Sequence, residues 1–139
     1  VTKFRLDIEY DYDFFLAGIA CHEKDYRLCW AVNTALGIEM ERVAPLEISL
    51  KKDEKPASFT LYMYENIEQD TACYIVNNRS EGGLLIPEQK QADCFFVAKG
   101  PFGKQEEERM LQGIKNIPFV LMAFPLIPAQ LRSKQNLVF

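Results

Sequence analysis

The chain has 139 residues, 48% hydrophobic and 12% aromatic, with a formal net charge of −4. That suffices for one domain, residues 1–139, around one core, and the acidic balance weighs against a protein that grips nucleic-acid phosphates. No run of about 18 apolar residues occurs, so no membrane span is expected, and the four cysteines form no Cys-x-x-Cys pair, so no zinc site is expected.

The N-terminal stretch VTKFRLDIEYDYD lacks the apolar core of a signal peptide. With Cys21, Cys29, Cys73 and Cys94 read as reduced, buried thiols, this points to the cytoplasm. The start at Val1 rather than Met implies trimming and leaves room for a removed leader. Phe4, Leu6, Ile8 and Tyr10 alternate with Lys3, Arg5, Asp7 and Glu9, the pattern of a half-buried strand. Asp7, Glu9, Asp11 and Asp13 then fall at every second position, as in a calcium loop. That loop needs Gly at its sixth position and an acid at its twelfth. Counted from Asp7, those positions hold Tyr12 and Gly18. Asp11 and Asp13 read instead as caps of a short helix over 14–21, apolar on every side and therefore buried on most faces. After the link His22-Glu23-Lys24, Asp25 caps a second helix over 26–36. Leu28, Cys29, Val32 and Leu36 line its inner face, and Gly37 stops it.

Residues 39–43 read as an extended connection. Leu46, Ile48 and Leu50 alternate with Glu47, Ser49 and Lys51, and a charged turn follows at 52–56. The segment 58–65 is rich in strand formers, and so is Thr71–Asn77. Pro87 cannot donate to a ladder, so 84–86 reads as an edge piece or a loop lead-in. Residues 92–98 are the longest apolar strand candidate, covered on both faces, with Asp93 at its start. Connections this short predict antiparallel hairpins. Lys104–Lys115 is a helix with Glu106, Glu107 and Glu108 at its positive end and Lys115 at its negative end. A last strand spans 119–124, and Pro128 opens a short helix over 129–132. The expected fold is α+β. It has a mostly antiparallel sheet of about five to six strands, with two N-terminal helices and one late helix chiefly on one face.

Ile86-Pro87-Glu88, three residues, then Ala92-Asp93-Cys94 resembles the signature of the IPExxxVDY family, a bacterial family with no assigned activity. Ala92 stands where the signature has Val, and Cys94 where it has Tyr. The resemblance extends to His22-Glu23-Lys24-Asp25-Tyr26-Arg27-Leu28-Cys29-Trp30 and to Leu131-Arg132-Ser133-Lys134. It implies one soluble intracellular domain and offers no catalytic residue to carry over.

Among candidate site residues, His22 is the sole histidine and follows Cys21. A Cys–His nucleophilic pair needs the two side chains to face each other, and adjacent residues on a helix do not. His22 reads instead as a helix C-terminal residue bonding free carbonyls. Glu88 and Asp93 could do acid–base work or hold half of a divalent cation, but nothing else completes such a set. Glu88 reads as a cap or bridge. Asp93 reads as the partner of an arginine, Arg27 in preference to Arg79.

The candidate cluster is thus His22, Asp25, Arg27, Trp30, Glu88 and Asp93, with no catalytic residue, metal or cofactor assigned. Convergence of these residues in one pocket would favour an enzyme or small-ligand binder. Their dispersal, with an exposed apolar patch elsewhere, favours a non-catalytic interaction or accessory domain with a protein partner, which is the preferred reading. A third reading is an RNA-associated factor using Tyr62, Tyr64 and Tyr74 with lysines such as Lys51, Lys52, Lys55, Lys99 and Lys104.

Overall fold

The structure, a computed structural model, describes residues 12–52 and 54–139. The strand expected over 3–10 and the acidic positions up to Asp11 lie outside the described residues. The elements are β1 (Phe15–Cys21), α1 (Asp25–Leu36), β2 (Glu41–Ile48), β3 (Ala57–Asn66), β4 (Thr71–Asn77), β5 (Arg79–Ser80), β6 (Gly83–Leu84), β7 (Cys94–Lys99), α2 (Lys104–Lys115) and β8 (Val120–Leu126). Two short 3-10 turns follow, Pro128–Gln130 and Lys134–Leu137. Among the described residues six strands form one antiparallel sheet in the order β2-β3-β4-β7-β1-β8, and β5 with β6 make a small separate ribbon. The fold is α+β.

The largest departure from expectation is at 14–21, which is the strand β1 and not a helix. Its run FLAGIAC is apolar throughout because β1 lies inside the sheet between β7 and β8 and is covered from both faces. Leu16, Ala17 and Ile19 are fully buried. A short, unbroken apolar run does not reveal its own period, and seven residues suit a strand better than a helix. Among the described residues there is therefore one N-terminal helix, not two. Asp13 precedes a strand rather than a helix, and His22 follows a strand, so no helix carbonyls lie before it.

Other boundaries shift less. Lys24, not Asp25, is the capping residue of α1, and Gly37 ends that helix at φ +70°, where a side chain would be strained. β2 begins at Glu41, inside the expected connection, and ends at Ile48. The 3-10 turn at Pro128–Gln130 replaces the short helix over 129–132. Both sheet edges are guarded: β2 carries Pro45 and a register irregularity between Val43 and Leu46, and β8 carries Pro125 and an irregularity opposite Ala20 and Cys21. Prolines and breaks in register keep an edge from templating another strand.

The two faces of the sheet are covered differently. Ala17, Ile19, Cys73, Ile75, Phe96 and Ala98 pack under Leu28, Cys29 and Val32 of α1 and Met110 and Ile114 of α2. Leu16, Phe59, Leu61, Val76, Phe95 and Val97 on the back face pack under Leu85, Ile86, Ala92, Leu131 and Leu137. So helices cover one face, while the loop 78–93 and the tail 127–139 cover the other. The connection from β4 to β7 is not the expected hairpin, although the two strands do pair antiparallel.

That loop hangs on Asn78, which has no exposed surface. Its side-chain Nδ2 donates to the carbonyls of Gln89 (3.1 Å) and Ala92 (2.9 Å), and its Oδ1 accepts from Ile86 N–H (2.8 Å). Its own N–H donates to Asp93 C=O and its C=O accepts from Leu85 N–H, both at 2.9 Å. A buried polar group left without a partner costs about 1–3 kcal/mol. Asn78→Ala would strand several such groups at once. The expected outcome is a loss of about 3 kcal/mol in unfolding free energy, read as a lower urea midpoint at unchanged slope. A loss under about 1 kcal/mol would show that water replaces the amide.

Candidate functional site

The six candidate residues do not converge. Asp93 sits at the head of β7, with the period-two parity of Phe95 and Val97 on the back face. Its Oδ1 accepts from Arg79 Nε at 2.8 Å and its Oδ2 from Cys21 N–H at 3.0 Å, and Arg79 Nη2 also reaches Lys90 C=O at 2.8 Å. Arg79 is therefore the partner, and Arg27 is not. Arg27 stands on α1, which covers the opposite face of the sheet. Its Nε lies 3.5 Å from Glu23, and its guanidinium stacks 5.9 Å from the centre of the Phe119 ring.

Glu88 is engaged elsewhere. Its carboxylate accepts from Ser133 N–H (2.7 Å) and from the Ser133 hydroxyl (2.9 Å), tying the loop to the tail. Burial by itself would raise its pKa, but the Ser133 hydrogen bonds outweigh burial and hold it below the usual carboxylate range. Asn136 Nδ2, bonded to Leu85 C=O at 2.8 Å, is a second tie between tail and loop. Lys99 is a third: its Nζ reaches Leu137 and Phe139 carbonyls at 3.4 and 3.2 Å and lies 5.1 and 4.7 Å from the Phe14 and Phe139 rings. Burial lowers the Lys99 pKa. This lysine holds the tail and is no part of a basic patch.

His22 is exposed in the turn after β1, while the Cys21 side chain beside it is buried and donates to Glu23 C=O. All four cysteines are free and buried. Burial pushes the Cys29 and Cys73 thiols up to about 11 and raises those of Cys21 and Cys94, the opposite of what a nucleophile needs. Asp25 lies in the first turn of α1. The buried Tyr62 hydroxyl makes no hydrogen bond of ordinary geometry among the described residues, and burial, with the Asp25 carboxylate next in effect, pushes it up to about 12. Tyr62 and Tyr64 pack toward the helix face, whereas Tyr74 packs under the tail against Phe139, 4.9 Å between ring centres. The three tyrosines form no shared platform.

Trp30 is different. It is the only tryptophan in the chain and is 71% exposed. Tyr26, one turn before it on the same side of α1, is 58% exposed. Trp30 stands at a groove of about 390 Å³, lined on α1 by Ala31, Thr34 and Ala35 and on the other side by Gly113 of α2 and by Asn116, Ile117, Pro118 and Phe119 in the turn that follows α2. No lining residue is charged. Gly113 faces α1 across the groove: a Cβ there would lie 2.9 Å from Leu36 Cδ2, the mobile tip of that side chain, and at ordinary contact distance from Ala35. Glycine inside a helix costs about 1 kcal/mol relative to alanine. A larger groove of about 590 Å³ lies between the start of β1 and α2, but Lys104, Glu107 and Glu108 edge it.

Comparison with known proteins identifies no relative: no family model, curated protein or solved structure matches the chain. The site rests on its geometry. Sequence reasoning selected Trp30 but not the walls opposite it. The available signal was Gly113, an interior glycine in an otherwise strong helix-forming segment.

Two outcomes are expected. The Arg79 and Asp93 side chains are 51% and 28% exposed, so solvent screens the pair. In a double-mutant cycle of Asp93→Ala with Arg79→Ala, the coupling should be about 1 kcal/mol. The same cycle with Arg27→Met should be additive. Zero coupling to Arg79 would remove the pair from the fold's stability. The second outcome concerns pH. Because the folded-state pKa of Glu88 is depressed, its contribution is complete above the unfolded value near 4.3 and is lost as pH falls through the folded value. Glu88→Gln should lower stability at neutral pH and flatten the decline that sets in as pH falls below the unfolded carboxylate value in urea titrations. Parallel acid limbs for the two proteins would contradict this.

Proposed function

We infer that the chain is a protein-interaction domain without chemistry of its own, docking a partner through the groove that α1 forms with α2 and the turn after it. The observation that carries this reading is Trp30. A large aromatic side chain left mostly in water beside an uncharged groove has nothing to do for its own fold, and tryptophans in that position anchor protein interfaces. The alternative of an enzyme or ligand binder built on His22, Arg27, Glu88 and Asp93 has less support, because Glu88 and Asp93 are each taken up by the chain's own Ser133, Arg79 and Cys21. The resemblance of Ile86-Pro87-Glu88 and Asp93 to the IPExxxVDY signature belongs to the same proposal. In this chain Glu88 and Asp93 hold the back-face loop. A cytosolic setting is also part of it, supported by four free, buried thiols.

The test is capture from a native extract by the immobilised chain and by its Trp30→Ala variant. Alanine keeps the helix, so the melting temperature should not move. Recovery of the bound proteins should fall at least about ten-fold, as for truncation of a central aromatic anchor. Equal capture by both chains would sink this reading.

A further inference from the structure

We propose that the hollow where the end of α1 meets the first turns of α2 binds a free α-amino acid with an apolar side chain. This site is separate from the groove beside Trp30 and does not depend on it. The hollow, of about 220 Å³, lies on the helix face beside the turn of the β3–β4 hairpin. A second hollow of about 290 Å³ adjoins it and shares Gln69, Thr71, Phe102 and Glu106. Together they come within the range of about 300–1,000 Å³ that small-molecule sites occupy.

Three observations select the ligand. The first is the apolar part of the lining. Cys73 and Met110 are buried there, and Leu36, Ile38 and Phe102 pack half-buried around them. That surface suits an apolar side chain. The second is a pair of opposite charges that do not meet. Glu106 and Arg109 both line the hollow and lie three residues apart on α2, a spacing that puts Cβ atoms about 5–6 Å from each other. No ion pair joins them, and the Arg109 guanidinium has no hydrogen-bond or ionic partner among the described residues. Glu106 Oε1 accepts from Gly103 N–H at 3.2 Å, which leaves Oε2 for a ligand. An ammonium and a carboxylate carried on one carbon present the complementary pair, and a guanidinium holds a carboxylate by two parallel hydrogen bonds. The third is the end of α1. Leu36 and Gly37 line the hollow, so the negative end of that helix lies at it, and the last turn of α1 holds no basic residue. A helix C-terminus favours a cation such as the ammonium. A simple anion would meet Glu106 and this negative end, and a simple cation would meet Arg109. The zwitterion satisfies both. Tyr64 and Thr71 add two half-buried hydroxyls to the lining, neither hydrogen-bonded among the described residues.

The probes are L-leucine and L-methionine, titrated into the full chain by calorimetry, with glycine and L-aspartate as controls. At least one of the two should bind with a dissociation constant below about 1 mM, and both controls about ten-fold more weakly or worse. The amide of the bound amino acid lacks the carboxylate, and its deaminated acid lacks the ammonium. Each should lose about ten-fold or more in affinity, as for a lost charged hydrogen bond. Arg109→Gln and Glu106→Gln should each weaken the amino acid by the same factor. Glutamine at 106 keeps an oxygen for Gly103 N–H, and Arg109 has no partner to lose, so both variants should melt with the parent chain when no ligand is present. Trp30→Ala should bind the amino acid unchanged. Four results would overturn the inference. Neither amino acid could bind. The amide or the deaminated acid could bind as tightly as the amino acid. Binding could survive both α2 substitutions. Trp30→Ala could abolish it, which would place the ligand in the other groove. None of these touches the reading of Trp30 as a docking anchor, which is decided by capture from extract.

Discussion

A single buried amide, the side chain of Asn78, is the constraint on which the back of this molecule depends. β4 and β7 are neighbours in the sheet, yet the chain between them is a long loop that must lie over apolar residues. Loop backbone in such a place needs hydrogen-bond partners that no strand supplies. Asn78 supplies them, because one amide offers donors and an acceptor in a fixed arrangement. It holds Ile86, Gln89 and Ala92 in one turn, which lets Leu85 and Ile86 drop onto Phe95 and Val97. The tail is then laid over this platform and tied by Glu88, Asn136 and Lys99. The polar residues near the signature-like stretch therefore serve the cover of a sheet face.

This division of labour leaves the helix face as the one that carries the exposed aromatic side chains Tyr26 and Trp30. The back face is occupied by the chain itself, and the sheet edges are interrupted. The groove beside Trp30 combines exposure, aromatic surface and an uncharged lining. Arg27 joins the same surface through its stacking on Phe119 and its pair with Glu23, so it frames the groove and neutralises no buried carboxylate.

The amino-acid sequence by itself determined the class of the fold and most of its elements. Thr71–Asn77 and Lys104–Lys115 were legible to the residue, because a strand former run ended by asparagines and a helix with ordered charges and an apolar stripe each carry their own period. The free, buried cysteines were legible from their apolar settings. Only the tertiary structure decided that 14–21 is a strand, because an all-apolar run has no period until its neighbours in the sheet are known. It alone decided that Asp93 meets Arg79. That choice depends on which face α1 covers, and the loop returning from Asn78 brings Arg79 back to the head of β7. It also made Asn78, one of two adjacent asparagines in an apparent turn, the most buried polar side chain among the described residues. Local pattern reads elements whose stability is local. Partners drawn from distant parts of the chain are chosen by packing, and packing is written in no single stretch of sequence.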